Sequence, residues 1–318
     1  MSIKILITQY IPKEGLKELF DRYYVIMPGK AGFSSDEQKE LIADADVLLS
    51  VFSSPVTRGL IEAGKKLKMI ANFGVGYNNI DLVAANEKGI VITNTPDPVT
   101  LPTAEHTVGL ILTLMRRISE MDRKLRSDKV ADWKIMSNLG FTLNGKILGI
   151  MGMGKIGQAT TRMAQTFGMT VVYHNRNKLP EAVEKGLNVH WLSKNELLKN
   201  SDVVSLHVPL TDETRYWIDG CEFQLMKETA FIINTSRGPV IREAALVEAL
   251  KTKEIAGAAL DVFEDEPTIT KDLLLLENVV LTPHIGTGTI ETRIATAACA
   301  AKNILAFLNG KEPPNRVS

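Results

Sequence analysis

Three short segments place an arginine, a group of acids and a histidine just past the ends of apolar, strand-like runs. Phe231-Ile-Ile-Asn234 leads into Thr235-Ser-Arg-Gly238, which sets Arg237 past a strand. Gly257-Ala-Ala-Leu-Asp-Val-Phe263 leads into Glu264-Asp-Glu-Pro267, and Val279-Val-Leu-Thr282 leads into Pro283-His-Ile-Gly286 with His284. An arginine can hold a carboxylate or steady negative charge growing on an oxygen. A histidine can give a proton near neutral pH, and an acid beside it can hold the histidine's proton state. Taken singly, each residue has an ordinary reading: a surface turn, a solvated acidic loop, a structural histidine. Placed at three strand ends, where open parallel sheets bind ligands, they make a set able to protonate a carbonyl oxygen.

A second signal indicates what could reduce such a carbonyl. Gly152-Met153-Gly154-Lys155-Ile156-Gly157 follows the apolar run Lys146 to Met151 and precedes a helix-like stretch, Gln158 to Phe167. Strand, glycine turn and helix in this order form a dinucleotide site. The glycines allow a tight turn, close approach of backbone to a pyrophosphate, and close packing of helix on strand; the helix N-terminus then faces the anion. The next strand, Thr170-Val-Val-Tyr173, ends in His174-Asn175-Arg176-Asn177-Lys178, so Asn175 stands 18 residues past Gly157. An acid there would bind the ribose 2′-hydroxyl of NAD. None is present, while Arg176 and Lys178 could pair with a 2′-phosphate. NADP(H) is therefore favoured, with NAD(H) the other choice.

The elements that must position these residues are also legible. Apolar runs at Ile3–Ile7, Val47–Val51, Met69–Phe73 and Ile90–Thr93 form one set. Ile147–Met151, Thr170–Tyr173, Val203–His207, Phe231–Asn234, Gly257–Leu260 and Val279–Leu281 form another. Near-continuous apolarity marks strands covered on both faces, and alternation with helical stretches marks parallel sheets. The expected fold is α/β: two doubly wound parallel-sheet domains separated near Thr95-Pro-Asp-Pro98. A long helix from Pro102 to Leu125 and another from Thr289 to Leu308 are expected.

Composition narrows the partners. The 318 residues hold 37 basic and 37 acidic side chains, 45% hydrophobic overall. Zero formal charge argues against a nucleic-acid partner. The tightest apolar stretch, Val108–Met115, is too short for a bilayer, and the start of the chain, read as a strand over Met1–Thr8, lacks the marks of a signal peptide. Cys221 and Cys299 have no metal-type spacing, so no metal is expected and a reducing cytoplasm is the simple location.

Six stretches in order carry a family resemblance. They are Gly74-Val-Gly-Tyr-Asn-Asn-Ile-Asp81, the glycine turn, His207-Val-Pro-Leu-Thr-Asp-Glu-Thr214, Asn234-Thr-Ser-Arg-Gly238, Ala259-Leu-Asp-Val-Phe-Glu-Asp-Glu-Pro267 and Pro283-His-Ile-Gly286. Over essentially its full length the chain resembles the D-isomer-specific 2-hydroxyacid dehydrogenases. The resemblance implies a Rossmann cofactor domain (101–287) inserted in a flavodoxin-like substrate domain (1–100 and 288–318), a closing cleft and a homodimer. It implies Arg237, Glu266 and His284 as the catalytic set and selects Glu266 from the acidic cluster, which composition could not do. It places the substrate carboxylate on the N–H groups of Val75 and Gly76, with Arg237. Beyond the turn and Asn175, Arg176 and Lys178, it extends the cofactor set to His207, Val208, Pro209, Thr214, Thr235, Ser236, Arg237, Asp261, His284 and Gly286. Pro209 would line the adenine pocket and Asp261 would meet the carboxamide. Arg242 and Gly288 depart from the family pattern, which often has Asp or Asn and Ala there.

The expected reaction is reduction of a small 2-keto acid to the D-2-hydroxy acid. Arg237 steadies the keto oxygen, His284 donates the proton, and Glu266 favours the imidazolium. The Gly76-to-Asp81 stretch and the Asn175-Arg176 pair most resemble glyoxylate/hydroxypyruvate reductases. Two rival readings stay open at this point: an NAD-dependent 3-phosphoglycerate dehydrogenase, and a nucleotide-sensing binding protein without catalysis.

Overall fold

Strands apolar on both faces must be covered on both faces, and the burial along them shows that they are. β3 (Val47–Val51), β4 (Met69–Phe73), β9 (Val203–Leu206), β10 (Phe231–Asn234) and β11 (Gly257–Leu260) are buried at every position. The structure, a computed structural model, describes residues 3–51, 53–128 and 132–317; Met1 and Ser2 of the expected first strand lie outside the described residues. The chain divides into two compact units, one from residues 1–99 and 288–318 and the other from 100–287.

In the first unit β3 and β4 join β1 (Lys4–Ile7), β2 (Tyr24–Ile26) and β5 (Val91–Thr93) in an all-parallel sheet ordered β2-β1-β3-β4-β5. Successive side chains point to opposite faces. Ile5, Ile7, Leu49 and Ala71 accordingly pack with Ala297, Ala300 and Ile304 of the helix Ile290–Leu308. Leu6, Leu48 and Ile70 pack on the other side with Leu60 and Ile61. The return of the C-terminal helix depends on small residues: a Cβ at Gly15 would stand 2.5 Å from the Ile294 carbonyl oxygen.

The second unit adds β6 (Ile147–Met151), β7 (Thr170–His174), β8 (His190–Trp191) and β12 (Val279–Leu281) to β9, β10 and β11. Its seven parallel strands run β12-β11-β10-β9-β6-β7-β8. The order reverses between β6 and β9, and such a switch point is where this architecture holds its ligands, beyond the carboxyl ends of the strands.

Two features differ from the expected elements. The single helix expected over Pro102–Leu125 is two helices, Thr100–Met115 and Ile118–Asp128. The Met115 carbonyl is taken by the Phe141 N–H at 2.8 Å, so the first helix stops there. Arg117 turns left-handed at φ 56°, and its guanidinium bonds Glu120 at 2.6 and 2.7 Å and the Leu139 carbonyl at 3.1 Å. The other difference is at the sheet edges, where β2 and β8 add to the expected strands; β2 is nowhere fully buried and β8 spans two residues, so neither leaves a covered apolar run.

Candidate active site

The glycine turn follows β6 at the switch point. Gly152 has φ 103°, and its N–H donates to the His174 carbonyl at 3.0 Å. A Cβ on Gly152 would stand 2.7 Å from the His207 carbonyl, so a side chain has neither the backbone conformation nor the space. The helix Lys155–Thr166 starts from Gly154 with no side-chain cap, and nothing lies within 4 Å of where a Gly154 Cβ would be. An uncapped helix head in open space fits a pyrophosphate, which meets both the amides and the positive end of the helix. Met153 turns its side chain into the core and Gly157 is buried against the turn, while Lys155 is exposed and Ile156 half-buried.

At the ribose end Asn175 does more than lack a charge. Its Oδ1 accepts the Met153 N–H at 2.7 Å, tying the second strand to the turn. Its carbonyl accepts the Trp191 indole N–H at 3.1 Å, and the Lys178 ammonium lies 4.6 Å from the centre of that indole. Lys178 thus lies over Trp191, and both it and Arg176 are exposed. Glu213, in the turn after β9, is held low chiefly by its Thr211 hydrogen bond, and the Arg176 charge lowers it further. That turn is closed by Thr214, whose hydroxyl donates to the Pro209 carbonyl at 2.6 Å and accepts the Thr211 N–H at 2.8 Å. Val208 is half-buried beside it. Burial pushes the His207 imidazole down to about 4, leaving it neutral with Nε2 2.9 Å from the Ser205 hydroxyl.

The reacting groups converge in the same unit. Asn234, buried at the end of β10, accepts from the Ser236 N–H at 3.0 Å and hydroxyl at 2.8 Å, and donates to the Arg237 carbonyl at 2.9 Å. This closes the turn that presents Arg237, whose Nη1 donates to the Ser236 carbonyl at 2.7 Å. Gly238 brings the turn against the acidic loop: a Cβ there would stand 1.8 Å from the Phe263 carbonyl oxygen. Glu266 accepts the Phe263 N–H at 3.0 Å on one oxygen and faces His284 Nδ1 at 2.8 Å with the other. Burial pushes the Glu266 carboxyl up. The His284 hydrogen bond and charge, the Phe263 amide and the Arg237 charge outweigh that and hold it below the usual 4.5. Its folded value lies under its unfolded one, so the pairing's contribution to stability is present above pH 4.5 and fades as pH falls through the lower value. Burial lowers the Arg237 guanidinium and Glu266 pulls it back up; it stays a cation, as arginine does in proteins.

His284 is held in a left-handed conformation, φ 52°, which a residue with a Cβ adopts only where its surroundings impose it. Asp261 imposes it. Its carbonyl accepts the His284 N–H at 2.8 Å, its Oδ1 accepts Ile285 N–H at 2.8 Å and the Thr282 hydroxyl at 2.6 Å, and its Oδ2 accepts Gly286 N–H at 2.8 Å. His106 Nε2 stands 3.2 Å from Oδ1. Burial raises the Asp261 carboxyl, but His106, Thr282 and Ile285 bring it below its ordinary value. Asp261 therefore fixes the histidine loop. Thr235 meets the Thr107 hydroxyl at 2.9 Å. Sequence reasoning misses His106, since nothing local marks it as a partner of an acid so far along the chain.

Val75 and Gly76 belong to the other unit and follow β4. Asn72 Nδ2 donates to the Gly74 carbonyl at 3.3 Å and the Gly76 carbonyl at 2.8 Å, and Asn94 Nδ2 donates to the Val75 carbonyl at 2.9 Å. The carbonyls are held while neither the Val75 nor the Gly76 N–H donates a hydrogen bond among the described residues.

The chain is similar to known proteins. A profile of the family described as D-isomer specific 2-hydroxyacid dehydrogenase, NAD binding domain, matches residues 108–286. The chain is 43% identical over its full length to the glyoxylate reductase of Thermococcus litoralis, of which the match covers 97%. The TT0316 protein of Thermus thermophilus superposes with a TM-score of 0.93 at 38% identity, covering 99% of this chain and 100% of that one. The NADPH-dependent glyoxylate/hydroxypyruvate reductase of Sinorhizobium meliloti, solved with NADP and malonate, has a TM-score of 0.86 at 29% identity, covering 100% of this chain and 97% of that one.

Proposed function

The chain belongs to the D-isomer specific 2-hydroxyacid dehydrogenase family and is an oxidoreductase that uses a nicotinamide cofactor; from that premise we propose that it reduces glyoxylate or hydroxypyruvate, with NADP(H) preferred. The observation that carries the reading is His284 Nδ1 held 2.8 Å from Glu266 within the charge field of Arg237. No observation favours a phosphoglycerate substrate or a binding module without catalysis.

When bound, the reduced nicotinamide supplies the hydride that C2 of the keto acid receives. The chain's own residues do the rest. The N–H groups of Val75 and Gly76 bind the substrate carboxylate, an arrangement supported by their lack of any other acceptor among the described residues. Arg237 steadies the charge growing on the keto oxygen. Glu266 occupies His284 Nδ1, so Nε2 is the nitrogen that gives its proton to that oxygen. The turn from Gly152 to Gly157 and the head of the 155–166 helix hold the pyrophosphate, and Asp261 keeps the His284 loop in place.

The preference for NADP(H) rests on the neutral Asn175 and the exposed Arg176. Arg176→Ala should raise KM for NADPH about 10- to 100-fold, the worth of one lost charge-assisted hydrogen bond, and leave KM for NADH in place. An unchanged NADPH KM removes Arg176 from the site. The substrate reading is tested by following cofactor oxidation with glyoxylate, hydroxypyruvate, pyruvate and 2-ketogluconate. The first two should have the highest kcat/KM, and no oxidation with any of the four would overturn the proposal.

A homodimer is also part of the reading. Trp133, Ile135 and Met136 are 89%, 90% and 75% exposed in one short segment, and apolar surface of that kind calls for a partner. Among the described residues no helix is long and apolar enough to cross a membrane, and the free thiols of Cys221 and Cys299 suit a reducing cytoplasm.

A further inference from the structure

The loop from Phe263 to Thr270 carries Glu266, yet neither of Glu266's own hydrogen bonds fixes where the whole loop stands. Glu243, the first residue of the helix Glu243–Lys251, is 4% exposed. Carboxylates are rarely so buried, and one withdrawn from water must be met by donors. Glu243 meets two. Its Oε1 accepts the Glu264 N–H at 2.5 Å, and its Oε2 accepts the Thr270 hydroxyl. Those donors stand near the two ends of the loop, with Glu266 between them. In the middle, Thr268 N–H donates to the Asp265 carbonyl at 2.8 Å and draws the loop into a turn.

The contact is reciprocal. Glu264 Oε2 accepts the Glu243 N–H at 3.1 Å, and its Oε1 accepts the Tyr216 hydroxyl. Arg242, at the N-cap position of the helix, makes no side-chain cap. Its guanidinium pairs with Asp219 at 2.7 Å and lies 4.2 Å from the Tyr216 ring centre. Glu264 reaches the helix head in its place, where an anion is favoured.

Resting on the reading of Glu266 and His284 as the proton-handling pair, we propose that Glu243 is the residue that positions Glu266, its one buried carboxylate clamping both ends of the loop. Glu243 acts through Glu266. The charged groups that act on Glu266 are His284 and Arg237, so a slackened loop changes catalysis by moving Glu266 away from them.

The test is kcat for keto-acid reduction against pH in the wild type and in Glu266→Gln, Glu243→Ala, Glu243→Gln and Thr270→Val. Reduction needs a protonated donor, so activity fades as pH rises. Losing or displacing the Glu266 charge should bring that fade to lower pH. Glu243→Gln keeps an oxygen for the Glu264 N–H, and its amide can donate to the Thr270 hydroxyl; it should keep the wild-type profile. Glu243→Ala should lower kcat about 10- to 100-fold, the effect of a small misplacement, with KM for the cofactor unmoved. Its profile should shift in the direction of Glu266→Gln, and Thr270→Val should shift less in the same direction. If Glu243→Ala does not fold, Thr270→Val against Glu243→Gln carries the test. A shift in Glu266→Gln alone overturns the clamp and leaves the pair standing. No shift in Glu266→Gln overturns the pair and the clamp with it. Equal damage from Glu243→Gln and Glu243→Ala also overturns the clamp.

Discussion

Replacing His284 with Ala lowers kcat for keto-acid reduction about 10²- to 10⁴-fold, the usual contribution of a positioned proton donor, while cofactor affinity stays near its original value. The separation follows from placement. The glycine turn and the uncapped helix head proposed to receive the pyrophosphate lie after β6, whereas His284 lies after β12. The left-handed backbone of His284 complicates an Ala substitution, because any residue with a Cβ is strained there. His284→Asn separates the two effects. Asn tolerates this conformation best among residues other than glycine, yet offers no proton near neutral pH. Both variants should lose the same activity, with cofactor binding followed by fluorescence titration. Near-normal turnover in either would remove His284 from the chemistry.

Arg237→Ala lowers kcat/KM about 10²- to 10³-fold, the scale of losing one donor aimed at a developing oxyanion. Arg237→Lys should recover only part of that, since an ammonium replaces the charge and not the planar fork of donors. The effect extends to Glu266, the partner of the proposed proton donor. The Arg237 charge is one of the influences that hold Glu266 low, so its removal raises the Glu266 carboxyl. The turn itself should persist, because Asn234 holds it through the Ser236 N–H and hydroxyl and the Arg237 carbonyl, none of which the substitution removes. A drop of less than tenfold in kcat/KM, measured with glyoxylate, would contradict the role.

Much of this molecule is readable in its residues, for identifiable reasons. Strands covered on both faces leave unbroken apolar runs, so β3, β4, β6, β10, β11 and β12 stand at their expected positions. β8 spans two residues at a sheet edge and leaves no such trace. The break after Met115 is set by Phe141 and Glu120, partners that a local pattern does not contain. The site divides in the same way. Arg237, the acidic cluster and His284 can be found because each follows a strand. Composition cannot tell the three acids apart, and the structure separates them by partner: Glu264 meets Tyr216 and the Glu243 N–H, the Asp265 carbonyl closes a turn, and Glu266 meets His284. Asn175 is informative in sequence as a missing acid, but its hold on the Met153 N–H is a tertiary contact. His106 and Glu243 act through partners distant in sequence, and no spacing rule reaches them.

Reduction of a 2-keto acid by this chain should give a 2-hydroxy acid of one hand. The configuration of the product from hydroxypyruvate tests it most directly, because reduction makes C2 a stereocentre whose hand is set by the face that receives the hydride. Chiral analysis of the glycerate formed with NADPH should show the D isomer alone. L-glycerate, or a mixture of both isomers, would contradict the account.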